Sequence, residues 1–178
     1  IADCHAIENK INDEWLVRDQ GAIVRQLGTT PVDYTRSLIL AEGGPDSCLK
    51  PFNPQDDIKG PYIERGNSND WGKKYAAVLT DIMCSDFTSI RQNYDRALVA
   101  ELPGGRTAYS YDGIDEFWMG LRASFPNAKF EVHHTIGLDE KMLSPRSAIR
   151  WSLSGKHDGL GAFGKPTGAD VYIMGISH

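Results

Sequence analysis

Residues 147–154, SAIRWSLS, are the middle one of three successive strand-like runs. The run before is 129–136, KFEVHHTI, and the run after is 169–178, ADVYIMGISH. Between the last two, residues 155–168 hold five glycines and one proline, so they read as a loop or a bulged extension. Working back from the strands, Asp112 is placed to cap a helix carrying Ile114, Phe117, Trp118 and Leu121, ended near Pro126. Residues 96–102 and 107–111 read as a short strand pair joined at Pro103-Gly104-Gly105. Asp70 is a good N-cap for a helix with Trp71, Tyr75, Val78, Leu79 and Ile82 at helical spacing, and Asp86 opens a shorter one. Helices, a strand pair, a helix and then long antiparallel strands predict an α+β fold. The expected form is a curved antiparallel sheet packed by about three helices into a cone with an internal pocket.

Residues 1–28 read as strand, turn, strand and short helix, with the turn at Glu8-Asn9-Lys10, Asp19 as cap and Gly28 as stop. Residues 31–40 are a further short helix with Tyr34, Leu38 and Ile39 on one side. The stretch 43–69 holds four prolines (45, 51, 54, 61) and few periodic apolar residues, which marks a connector. Its Phe52, Ile58, Tyr62 and Ile63 predict that it is partly docked.

Composition excludes several classes. The chain has 178 residues, 40% hydrophobic and 24% charged, with a net charge of −5. That is room for one domain plus an appendage, but hardly two full domains. No basic stripe offers itself to nucleic acid, and no run approaches the roughly 20 apolar residues of a membrane helix. Cys4, Cys48 and Cys84 are odd in number and widely spaced, neither a metal knuckle nor a disulfide framework. A reduced, cytoplasmic setting is the default. Dinucleotide, P-loop, zinc-protease and serine-hydrolase motifs are absent, and five histidines without a carboxylate cluster do not predict a metal site.

Three motifs carry a resemblance: FWMGLRASF at 117–125 followed by Pro126, RWSLSGKH at 150–157, and GKPTG at 164–168. Together they resemble the SnoaL-like polyketide cyclases of the nuclear-transport-factor-2-like superfamily, over residues 70–178. Residues 1–28 resemble the other end of the same family, through Asn9-Lys10-Ile11, Trp15, Asp19 and Gln26-Leu27-Gly28. Met174–His178 also looks equivalent to the strand beginning at Ile1–His5. The expected division is therefore a family tail (1–28), a connector (29–69) and a family domain lacking its last strand (70–178). Residues 1–28 are expected to pair with the sheet of 70–178, within one chain as a permuted fold or between two chains as a swap.

The resemblance implies cofactor-free acid/base chemistry in a pocket: cyclisation, isomerisation or hydration of a polyketide-like or other apolar substrate. The alternative is a non-catalytic ligand-binding or dimerisation domain. The partners implied are a small apolar organic ligand and a second copy, forming a homodimer through the sheet. Leu16 falls near the position of the family's catalytic Asp, and Tyr172 near that of its pocket histidine. Both departures weaken the specific cyclase reading, and the missing acid at Leu16 favours the non-catalytic alternative.

Glu14 shares a strand face with Leu16 and is the substitute acid; an exposed strand-end Glu is its bland reading. Asp95 is the second carboxylate, or else a simple cap. Of His133 and His134, alternation sends one inward. His134 groups with Phe130, Val132 and Ile136, as a catalytic candidate or a satisfied core histidine. Trp15, Tyr94, Trp118, Tyr172 and His178 are the ligand-lining candidates, although Trp118, like Phe117 and Trp151, fits most simply in the core or a dimer face. His157, beside Asp158 in the glycine-rich loop, reads as a solvated loop tip.

Overall fold

The computed structural model describes residues 1–57, 60 and 66–178. The chain opens with an antiparallel hairpin of β1 (Ala2–Ile7) and β2 (Lys10–Leu16). Its turn residues Glu8 and Asn9 hold φ of 50° and 61°, the left-handed pair of a type I′ turn. Helix α1 (Gln20–Gln26) follows, capped by Asp19, and then α2 (Pro31–Ala41), which buries none of its residues. The connector reaches the rest of the fold at Phe52, Asp57 and Asn67. Phe52 lies against Tyr172 with ring centroids 5.8 Å apart, and Asn67 Nδ2 donates to the Gly137 carbonyl at 2.7 Å. Ile58, Tyr62 and Ile63 lie outside the described residues.

Helices α3 (Asp70–Met83) and α4 (Thr88–Asn93) precede the strand pair β3 (Val99–Leu102) and β4 (Arg106–Tyr109), then α5 (Ser110–Ser124). The cap of α3 is Asn69, whose Oδ1 accepts from Trp71 N at 2.9 Å. Asp70 thus sits one residue inside the helix, where its charge still favours the N-terminal dipole. Asp112 likewise lies in the first turn of α5 rather than at its cap.

The main sheet has the order β5 (Lys129–Leu138), β6 (Arg146–Lys156), β7 (Asp170–Ser177), all antiparallel. Alternation along β6 sends Ile149, Trp151 and Leu153 towards the helices. They meet Leu79 and Ile82 of α3 and Trp118 and Leu121 of α5 in one core. Trp151 fixes the partner strand: a side chain at Gly175 of β7 would overlap its indole. The loop after β6 is seated on α5 by backbone bonds from Gly159 to Ser124 and from Ala162 to Gly120. His157 is buried in consequence, with its ring against Phe125 and Phe163, and is no loop tip. The observed arrangement is α+β.

The hairpin meets the sheet of 70–178 differently from the expected shared ladder. Among the described residues β1 pairs with β2 alone, and the contact with β5–β7 is made by side chains. A second contact lies at α1. Asp19 Oδ1 accepts from Ala22 N at 2.9 Å, and its Oδ2 accepts from Gly104 N and Gly105 N at 2.7 and 3.0 Å. Arg25 Nη1 donates to the Gly104 carbonyl at 2.9 Å. One carboxylate therefore caps α1 and grips the β3–β4 turn.

Burial pushes the Asp19 carboxyl up, but the three backbone N–H groups and Arg25 outweigh it and hold it below its ordinary 3.8. A lowered folded value means that the stabilisation is present above the ordinary value and is lost as pH falls through the lowered one. Asp19→Ala is expected to cost about 1 kcal/mol at neutral pH and to flatten the acid limb of the stability curve. Urea unfolding at a series of pH values reads both effects.

Candidate functional site

The face of β6 opposite the core carries Arg150 and Ser152, both buried. On the neighbouring strand, Val132 pairs with Trp151 and then His134 with Arg150, so His133 is the extra residue of a β-bulge. The bulge cancels the expected split of the two histidines. His133 Nε2 lies 2.7 Å from Ser152 Oγ, while His134 Nδ1 lies 2.9 Å from Asp3 Oδ1. Both rings thus serve the Arg150–Ser152 face, and His134 belongs to a polar cluster rather than an apolar row.

Asp3 and Trp15 are register partners on the hairpin and face this cluster together. Asp3 Oδ2 accepts from Arg150 Nε at 2.8 Å, so one carboxylate bridges a guanidinium and an imidazole. The Asp3 and Arg150 side chains are each 5% exposed and His134 is 11% exposed. The Arg150 guanidinium lies 4.0 Å from the Trp15 ring centroid, a cation–π contact strengthened by burial. Trp15 Nε1 donates to Asp57 Oδ1 at 3.3 Å, and the Tyr172 hydroxyl donates to Asp57 Oδ2. Burial, with Asp57 accepting its proton, pushes the Tyr172 phenol up to about 12. A carboxylate held by an arginine is an acceptor, so a proton on His134 Nδ1 faces it.

Two residues along the same face, Ile136 pairs with Ala148, about 7 Å further on. There an open groove of about 720 Å³ begins, bordered by Ile136, Leu138, Ala148, Tyr75, Tyr94 and His178. Ile136, Leu138 and Ala148 continue the sheet face of the cluster, whereas Tyr75 and Tyr94 reach the groove from the helix-bearing side, so the groove lies at the end of the sheet next to the cluster.

The structure gathers His134, Trp15 and Tyr172 into the cluster and Tyr94 and His178 at the groove. Glu14 is exposed, on the hairpin face away from Trp15, where Cys4 Sγ is 3.8 Å from its Oε1. Asp95 is an exposed turn cap, its Oδ1 accepting from Ala97 N at 2.7 Å. Trp118 is 5% exposed in the core against Trp151. Asp3, Arg150, Ser152 and Asp57 were not singled out from sequence. The usable signal was Arg150 and Ser152 alternating with Trp151 and Leu153, which places two polar side chains on the face away from the core. Among the described residues no group of three or more His, Cys, Asp or Glu is arranged to hold a metal ion, and no helix is long and apolar enough to cross a membrane.

Solved structures with a comparable chain trace are found. The chain is similar to SnoaL-like polyketide cyclases. One, provisionally so assigned, is from Jannaschia sp. CCS1: it is 12% identical, with 62% of this chain and 78% of that chain covered, at a TM-score of 0.47. IdmH of Streptomyces antibioticus, a provisionally assigned polyketide cyclase, is 19% identical, with 60% and 78% covered, at 0.44. AclR of Streptomyces galilaeus, a provisionally assigned hydroxylase, is 18% identical, with 59% and 77% covered, at 0.43. No protein-family model and no curated protein sequence matches the chain.

Proposed function

We propose that this chain is a SnoaL-like small-molecule enzyme that moves a proton at a carbon activated by a carbonyl, without a cofactor. The observation that carries this reading is Asp3 bridging His134 and Arg150 beside an apolar groove. His134 Nε2 is the base. It takes the proton from the carbon next to a ligand carbonyl, and Asp3 steadies the imidazolium that results. The carbon–hydrogen electron pair moves into the enolate, which can close a ring, shift a double bond or be reprotonated by the same imidazolium. The motifs at 117–125, 150–157 and 164–168 support the family assignment, and the apolar groove wall supports a largely apolar substrate.

The test is hydrogen–deuterium exchange at the central carbon of an aromatic β-diketone, followed by NMR. The wild type is expected to accelerate exchange, and His134→Asn to lower that acceleration about 10²-fold or more. Asp3→Asn is expected to lower it too, because the amide can hold the other imidazole tautomer. Exchange in the wild type no faster than in buffer would sink the reading.

The second reading is a non-catalytic binding or dimerisation domain. The 5% exposure of both Asp3 and Arg150 favours it, because a pair so covered also serves as a clasp for the hairpin. A rise in thermal midpoint with the β-diketone but no exchange would establish that reading instead.

A further inference from the structure

Proton transfer at His134 leaves one carboxylate of the site without a task. Asp57 belongs to the connector, yet both of its oxygens are taken up by the hairpin and the sheet. Trp15 Nε1 donates to Oδ1 at 3.3 Å, and the Tyr172 hydroxyl donates to Oδ2. An indole N–H and a phenol O–H aimed at the two oxygens of one carboxylate make a two-pronged receptor for that group. Each prong has an anchor of its own. Trp15 is 8% exposed with the Arg150 guanidinium against its ring, and Tyr172 is held in the β7 ladder opposite Ser154. Asp57, by contrast, is delivered by a turn that closes on itself. Asn53 N and Nδ2 both donate to Asp56 Oδ2, at 3.1 and 2.6 Å, and Asn53 Oδ1 accepts from Gln55 N at 2.9 Å. The same connector lays the Phe52 ring against Tyr172, with centroids 5.8 Å apart. One segment outside the sheet thus brings an aromatic ring and a carboxylate to one tyrosine.

We infer that the Trp15–Tyr172 pair is a binding site for a small aromatic carboxylic acid, which Asp57 and Phe52 occupy from within the chain until such a ligand displaces them. The inference goes beyond the proton-transfer reading and does not rest on it. Charge decides the class of ligand. Asp3 already bridges Arg150 and His134, so exchanging Asp57 for a ligand carboxylate leaves the charges of the site unchanged. A phosphate would add a second negative charge beside Asp3. A neutral oxygen would be the weaker partner, because hydrogen bonds to an ionised acceptor are about twice as strong. Asp57 competes as a tethered carboxylate, at an effective concentration of roughly millimolar. The ligand therefore meets the open site only in the fraction of molecules in which Asp57 has left it.

The probes are benzoate and benzamide, alike in shape and unlike in charge, titrated into the full chain at neutral pH and followed by NMR at the Trp15 indole N–H. Asp57→Ala removes the internal competitor and keeps both donors, so it is expected to bind benzoate about tenfold more tightly than the wild type. Benzoate, and not benzamide, is expected to move the Trp15 resonance in both proteins. The wild-type titration does not depend on the variant folding. Equal benzoate affinity in the two proteins, or an equal response to benzamide, overturns the inference. So does a wild type whose Trp15 resonance benzoate never moves, which would make Asp57 a fixed tether of the connector. The proton-transfer reading stands or falls separately, on the exchange assay with His134→Asn.

Discussion

Asp3→Ala is expected to destabilise the folded chain by about 3–5 kcal/mol. The reason is what it leaves behind. Arg150 is 5% exposed, and its Nε donates to Asp3 at 2.8 Å. Without the carboxylate, a buried guanidinium keeps its charge and loses the Asp3 anion. The stack on Trp15 at 4.0 Å offsets only part of that loss. His134 loses the acceptor of its Nδ1 proton in the same step. Adding Arg150→Met to Asp3→Ala is expected to recover most of the loss, because a buried pair exchanged for apolar side chains is close to neutral. Urea unfolding followed by tryptophan fluorescence measures all three variants. A loss below about 1 kcal/mol for Asp3→Ala, as for an exposed pair, would mean that the hairpin does not rest on the sheet in solution.

Trp118→Ala is expected to cost a similar amount, about 3–5 kcal/mol, by a different route. No charge is stranded; a cavity opens. Trp118 is 5% exposed, with ring centroids 4.8 Å from Phe117 and 6.0 Å from Trp151. Trp151 in turn sits on Gly175, where no side chain fits, so the strand cannot slide in to fill the gap. Trp118→Phe is expected to keep most of the stability and to leave binding of the aromatic β-diketone unchanged, because Trp118 is no part of the groove wall. A large loss of that affinity in a folded Trp118→Phe chain would return Trp118 to the ligand site.

How far the site could be read beforehand follows from which residues report their own surroundings. Trp15, Tyr172 and His134 stand out in the sequence because an aromatic or a histidine within a strand faces one side or the other and a polar tip there wants a partner, and the structure brings the three to one cluster. Asp3 does not. An aspartate near the start of a strand looks solvated until Arg150, 147 positions away, is brought to it by the hairpin. Asp57 was hidden for the same reason inside a connector with no periodicity. Glu14 and Asp95 attract attention by their chemistry alone. Strand alternation turns Glu14 away from Trp15, and a tight turn uses Asp95 as its cap. The placement of the histidines failed at one point only, because a bulge inserts a residue and shifts the alternation after it.

Local patterns sufficed where the physics is local. Periodicity placed α3, α5 and the three long strands; turn residues placed the hairpin and the β3–β4 corner; the order of elements implied an α+β arrangement. Tertiary structure alone decided that the hairpin closes on itself and meets the sheet through Asp3 and Trp15, and that β5 bulges at His133. It also decided that Tyr75 and Tyr94 meet at one rim. Each of these depends on partners far apart in the chain, and a buried carboxylate finds its guanidinium only when folding removes the water that would otherwise solvate both.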